Sequence, residues 1–263
     1  MTSLWSDRDA AATVAAYAKR GVGEDLALRT YTARLLGRDP ALVMHGGGNT
    51  SVKTRATTVL GEEINVLRVK GSGWDLATIE PAGHPAVRLE PLRRLRLLDA
   101  LSDEEMVNVQ RQNLMDSAAP NPSVETLLHA FLPQKFIDHT HSVAVCAIAD
   151  QREAERLCDE VWGRRVGLVP YIMPGFSLAK AAAEVFEQSP KVEGLILLKH
   201  GIFSFGETAR DSYERMIDLV AAAEAFITSR DRTLSAISIP FRSRSVAPPP
   251  TCFQRGEVDA AQA

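Results

Sequence analysis

What this chain lacks sets the first limits on what it can be. No apolar run approaches the roughly 20 residues needed to cross a bilayer, and no basic segment with an apolar core opens it, so a soluble, cytoplasmic protein is expected. Cysteine is scarce. Cys146, Cys158 and Cys252 are an odd count at no metal-like spacing, which argues against a disulfide framework and fits a reducing compartment. Charge of one sign is missing too: the formal net charge is -3, so there is no electrostatic case for nucleic acid or an anionic membrane. An anionic substrate would have to be held by local donors. There is no internal repeat and no clear linker. With 45% apolar and 24% charged residues over 263 positions, the chain has the composition of an ordinary globular protein. Residues 1–240 are expected to form one domain with a helical N-terminal segment, and 241–263, which include Pro248 to Pro250, a mobile tail.

The chemistry concentrates in a few short stretches. Phe136 to Val145 reads as a strand rich in β-branched and aromatic residues, with Cys146 at its end. Side chains alternate on a strand, so His139 and His141 project from one side. Two histidines on a solvated strand face would look the same. A third, His200, ends the apolar run Gly194 to Lys199. Three histidines at strand ends match an open catalytic zinc site, with three protein ligands and one position left for water or substrate.

Glycine gathers at two turns. Leu42-Val43-Met44 reads as a short buried strand, followed by His45-Gly46-Gly47-Gly48-Asn49-Thr50-Ser51-Val52-Lys53. The glycines form either a tight hairpin turn or a nest whose N–H groups, with Asn49 and Ser51, hold a phosphate. On pattern alone the two readings are even, and no Walker pattern is present. The strand Ile64 to Val69 runs into Lys70-Gly71-Ser72-Gly73-Trp74, which offers free amides, a hydroxyl and a cation. Two such turns together favour an anion pocket.

The remaining elements alternate helix and strand. Helices are expected over Asp7 to Lys19, Glu24 to Leu36, Leu92 to Leu101 and from a capping box at Ser102 to about Met115. Another opens at Asn121-Pro122-Ser123 with Ser123 as N-cap. Glu125 then lies in its first turn, where a carboxylate simply suits the helix dipole, and shares a face with His129, so either could approach a metal. Further helices are expected over Arg152 to Trp162, Gly175 to Phe186 and from a Thr208 cap to about Ile227, with strands at Val166 to Pro170 and a hairpin from Gly194 to Gly206. His45 and His84 have no assigned role. Mixed short strands and helices with polar turns at strand ends suggest a layered α/β/α domain.

The ordered set Gly47-Gly48-Asn49-Thr50-Ser51, Lys70-Gly71-Ser72-Gly73, Pro122-Ser123-Val124-Glu125, His139-Thr140-His141 and Lys199-His200-Gly201 resembles the class II aldolase/adducin family over about residues 24 to 228. The longer words around the two glycine turns look closest to the aldolase half of the bifunctional rhamnulose-1-phosphate aldolase/alcohol dehydrogenases. The resemblance implies a three-layer α/β/α sandwich around a mostly antiparallel sheet, in a homotetramer with sites between subunits. It implies Zn²⁺ on His139, His141 and His200, with Glu125 as acid/base. It implies a phosphate pocket from Gly48, Asn49, Ser51, Gly71, Ser72 and Ser123, to which Lys70 adds a cation. The substrate class is then a sugar phosphate, and the reaction the retro-aldol cleavage of a ketose 1-phosphate. Two departures stand out: Val124 replaces a serine common in phosphoketose aldolases, and no dinucleotide motif follows the aldolase region. The alternatives are an epimerase or decarboxylase on the same scaffold, or a non-catalytic adducin-like protein, against which the three histidines argue.

Overall fold

The structure is a computed structural model that describes residues 1–236; the expected tail at 241–263 and Cys252 lie outside the described residues. In chain order the elements are α1 (Asp7–Ala18), α2 (Glu24–Gly37), β1 (Asn49–Thr57), β2 (Glu63–Val69), β3 (Ala86–Arg88), α3 (Leu89–Arg94), α4 (Asp103–Gln112) and α5 (Thr126–Phe131). There follow β4 (Phe136–Thr140), α6 (Val143–Ala149), α7 (Ala154–Trp162), β5 (Val166–Val169), α8 (Phe176–Gln188), β6 (Gly194–Leu197), β7 (Gly201–Gly206) and α9 (Ala209–Ala236). The strands form one seven-stranded sheet in the order β3-β2-β1-β4-β7-β6-β5. Every neighbouring pair is antiparallel except β5 with β6.

Strand alternation divides the apolar side chains between two layers. Leu67, Ile137, Leu195, Phe203 and Phe205 pack beneath α3, α5 and α8, while Ile196 and Ile202 face α2, α6, α7 and α9. Each such side chain taken fully out of water contributes about 1.5–3 kcal/mol. This is the expected three-layer arrangement. It places β4, the strand of the histidine pair, at the centre of the sheet.

Residues on β4 therefore serve two layers. His139 shares the face of Ile137, stacked on Phe203 with ring centroids 4.2 Å apart. Asp138 points the other way, fully buried, into an ion pair with Arg29 of α2 and a hydrogen bond from Ser212 Oγ of α9. Arg29 also donates to the carbonyls of Ser51 and Ile137, each at 3.4 Å. One buried guanidinium thus ties α2, β1 and β4 together, and α9 closes the set from the far side of Asp138.

Four local expectations are corrected. Leu42-Val43-Met44 is a turn: the N–H groups of Leu42 and Val43 both reach the Asp39 carbonyl at 3.0 Å, and burial of the first two side chains had imitated a strand. The strand starts only after the glycines, at Asn49. The strand through His139 ends at Thr140, and Val143 to Ala149 is helical, so Cys146 sits on a helix. Val145, Ile148 and Ala149 are buried at helical spacing, which overrides the β-branched local preference. The helix expected from Ser123 begins at Thr126, with Glu125 at its N-cap and the Ser123 hydroxyl accepting from the Glu125 N–H. Finally, the helix expected over Leu92 to Leu101 is α3 followed by a single 3₁₀ turn at Leu95–Leu97. The capping box at Ser102 and Glu105 forms as expected.

Candidate metal centre

Three elements bring the histidines together. His139 lies on β4, His141 immediately beyond its end, and His200 in the turn from β6 to β7. That turn requires Lys199 at φ 59°, the left-handed region, the one non-glycine residue so placed among the described residues. The ligand nitrogens of the three rings lie within 4.8 Å of one another. His139 Nε2 is 2.9 Å from His141 Nε2, while His139 Nδ1 donates to the Ile202 carbonyl at 3.0 Å. That bond fixes the tautomer and leaves the Nε2 lone pair facing its neighbours. Burial grades across the group: His139 is buried, His200 half-buried and His141 exposed, so the cluster is open on one side.

Glu125 completes the group from the N-cap of α5. Its Oε2 is 3.3 Å from His139 Nε2 and its Oε1 3.4 Å from His200 Nε2. Burial raises the carboxyl above its usual range, against the opposing pull of His200 and a hydrogen bond from Asn49. Burial likewise pushes His139 well below its usual value and His200 down to about 4, each helped by a neighbouring imidazole. Those two rings are thus held neutral, the form that ligates a metal.

A cavity of about 340 Å³ adjoins this group. Gly48, Asn49, Lys70, Gly71, Ser72 and Ser123 line it, and it reaches Glu125 and His141. Gly48 takes φ +60°, and a Cβ there would stand 2.8 Å from the His139 carbonyl, so a side chain cannot enter between the turn and β4. Lys70 Nζ donates to the Gly46 carbonyl at 2.9 Å, bracing the glycine turn, and burial lowers its pKa. A larger hollow of about 910 Å³ lies at the far end of β1, beside Thr54 and Arg55, away from the histidines.

The family model described as "Class II Aldolase and Adducin N-terminal domain" matches residues 28–227. The chain belongs to that family. A Bacillus subtilis (strain 168) protein called "Uncharacterized oxidoreductase YuxG" is 40% identical over 200 residues, 76% of this chain. The match spans only 29% of that relative's length. The structure of an N-terminal class II aldolase domain from Thermoplasma acidophilum is 41% identical, with TM-score 0.73, over 77% of this chain and 93% of that one. A sugar-phosphate aldolase from Thermotoga maritima shares the fold at 17% identity and TM-score 0.58, over 81% of this chain and 97% of that one.

Class II aldolases are metal-dependent, and the histidine group of this chain fits such an ion. Three imidazoles converge, and two buried atoms of the group, Glu125 Oε1 and His200 Nδ1, have no hydrogen-bond partner among the described residues. Of the residues expected to hold phosphate, the structure gathers all but Ser51 around the cavity. Ser51 is fully buried, its hydroxyl 2.7 Å from His129 Nδ1, and Asn49 spends both ends of its amide on protein partners. His129 does not join the histidine group. His45 pairs with Asp75 at the surface. The partnership of Arg29 with Asp138 was not foreseen. An arginine among the buried positions of α2 was the available sign.

Two expected results follow from these contacts. A Cβ on Gly201 would lie 2.5 Å from the Thr140 carbonyl, 3.0 Å from His141 and 3.2 Å from His139. Gly201→Ala should therefore push β7 off β4 and weaken metal binding by about 10- to 100-fold, the usual effect of disturbing groups that orient ligands. Titration with Zn²⁺ checks this; unchanged affinity would contradict the packing.

The second concerns acid sensitivity. His84 is buried with Nε2 3.0 Å from Thr50 Oγ1, and burial, with the charges of Arg29, Arg68 and Lys70, lowers it from 6.5 to about 3. Below pH 6.5 the unfolded chain takes up a proton that the folded chain refuses. Stability from His84 is therefore complete above 6.5 and declines as pH falls toward 3, with a limiting slope of about 1.4 kcal/mol per pH unit. In urea titrations His84→Gln should flatten this slope. A variant as acid-sensitive as the parent would contradict it.

Proposed function

We propose that this protein is a zinc-dependent aldolase that cleaves a ketose 1-phosphate of the rhamnulose 1-phosphate type into dihydroxyacetone phosphate and an aldehyde such as lactaldehyde. The observation that carries the reading is a buried carboxylate with one oxygen unpartnered among the described residues, set against three converging imidazoles beside a glycine-lined cavity. In this reading His139, His141 and His200 hold the metal, which when bound supplies Lewis-acid stabilisation of the negative charge that builds on the enediolate oxygens.

Glu125 does the proton work. When the C3–C4 bond of the ketose breaks, the C4 hydroxyl loses its proton to water as it becomes the aldehyde carbonyl, and the bond's electron pair passes into the enediolate of dihydroxyacetone phosphate. The carbon that carried the leaving aldehyde must then be protonated. A carboxyl raised above its usual range by burial is better matched than an ordinary surface carboxylate to giving and recovering a proton. The amides at Gly48 and Gly71, the hydroxyls of Ser72 and Ser123, and the Lys70 ammonium would hold the phosphate. Ser51 is withdrawn from that role.

The family includes epimerases and decarboxylases beside aldolases, and a glutamate at the metal favours the aldolase reaction here. The Bacillus relative, called an oxidoreductase over a length well beyond the match, supports kinship with the bifunctional aldolase/dehydrogenase branch. We expect a cytoplasmic homotetramer, checked by light scattering; an active monomer at assay concentration would contradict it. The function itself is tested by incubating purified protein with rhamnulose 1-phosphate and fuculose 1-phosphate and measuring released dihydroxyacetone phosphate. Chelation should stop release and Zn²⁺ restore it. Release indifferent to chelation would remove the metal-dependent reading.

A further inference from the structure

A buried polar line runs from the sheet to Glu125. Asn49 and Ser51 share one face of β1, two residues apart, and His129 faces them from α5 one turn beyond Glu125. Ser51 Oγ is 2.7 Å from His129 Nδ1, His129 Nε2 is 2.5 Å from Asn49 Oδ1, and Asn49 Nδ2 donates to Glu125 Oε2 at 2.6 Å. All four side chains are buried, His129 and Ser51 completely. Lys53 Nζ clamps the same turn of α5 by donating to the His129 carbonyl at 2.9 Å, and the edge of Phe203 packs against the imidazole with centroids 5.3 Å apart.

The donors in this line are determined by its last member. A carboxyl oxygen that carries no proton accepts only, so Asn49 must present its NH₂ to Glu125 Oε2 and its oxygen to His129. That oxygen needs a donor, so His129 carries its proton on Nε2. Its Nδ1 is left as an acceptor, which the Ser51 hydroxyl fills. Run in the opposite sense, the line would set the Asn49 oxygen against the carboxylate. A doubly protonated imidazole would turn Ser51 into the acceptor, but burial keeps His129 neutral. Every member is satisfied in one polarity only.

The consequence falls on Glu125. Its Oε2 is tethered, whereas Oε1 is buried beside His200 with no hydrogen-bond partner among the described residues. We infer that His129 is a positioning residue: by fixing the orientation of the Asn49 amide it locks the Glu125 carboxylate and makes Oε1 the oxygen that carries the proton. The role of Oε1 rests on the aldolase reading; the line of hydrogen bonds does not. It also explains why Ser51, and the Asn49 amide, are unavailable to a phosphate.

The test has two independent parts. Side-chain ¹⁵N spectra of histidine-labelled protein should show one imidazole as the neutral Nε2–H tautomer with Nδ1 as a hydrogen-bond acceptor, its signal lost in His129→Leu. An Nδ1–H or doubly protonated His129 overturns the line whatever the protein catalyses. The second part follows proton exchange into dihydroxyacetone phosphate in D₂O. His129→Leu should retain its metal and a nearly unchanged KM but exchange about 10- to 100-fold more slowly. His129→Gln, whose amide can accept from Ser51 and donate to Asn49, should recover most of the rate. Wild-type exchange in the Leu variant, or equal impairment of the Gln and Leu variants, overturns the positioning role. If wild type exchanges nothing, the aldolase reading fails and the role given to Oε1 falls with it, while the spectra still decide the hydrogen bonds.

Discussion

His139→Ala is expected to abolish both metal binding and activity while leaving the fold assembled. His139 is the completely buried member of the histidine group, and its Nδ1 bond to the Ile202 carbonyl holds it rigidly on the central strand. His141 is exposed and His200 half-buried, so the two that remain form a looser pair. Lewis-acid stabilisation is worth several kcal/mol, and its loss should lower the rate by about 10³-fold or more. The change also removes the hydrogen bond to the Ile202 carbonyl and the stack on Phe203, a cost of about 1 kcal/mol or more that should appear as a lower denaturation midpoint with unaltered circular dichroism. Metal analysis decides the matter: about one ion per wild-type chain and background in the variant. Full occupancy after replacement of all three histidines would place the metal elsewhere.

Glu125→Gln should separate proton transfer from metal binding. The substitution keeps size and hydrogen-bonding capacity but cannot carry the proton. Asn49 Nδ2 can still donate to the retained carbonyl oxygen, which should keep the side chain in place. Metal content is expected to stay at the wild-type level while turnover drops by about 10²–10⁴-fold, the typical contribution of general acid–base catalysis. A variant that turns over at the parental rate would assign the proton step to another residue.

Some of this was legible in the residues and some was not, for physical reasons. Histidine spacing on an alternating strand has few explanations, so His139, His141 and His200 could be grouped before any coordinates. The glycine turns announced themselves because glycine is costly where nothing needs it. Segments whose local preference and tertiary burial disagree were misread. Val143 to Ala149 has β-branched residues yet buries one helical face, and Leu42 and Val43 are apolar in a turn. The division of labour among polar residues depends on partners far along the chain. Ser51 looked like a phosphate donor until His129, 78 residues away, was seen to occupy its hydroxyl. The Arg29–Asp138 pair, 109 residues apart, was equally invisible to spacing.

The most direct measurement is hydrogen exchange in the absence of an aldehyde. Dihydroxyacetone phosphate is incubated in D₂O with metal-loaded wild-type protein, and deuterium at the hydroxymethyl carbon is followed by NMR. An aldolase whose Glu125 moves the enediolate proton should exchange one of the two C1 hydrogens stereospecifically, and chelation should stop it. An epimerase working by C–C cleavage would interconvert pentulose phosphates and show little of this exchange. No exchange at either hydrogen, together with no cleavage of any ketose 1-phosphate, would contradict the account.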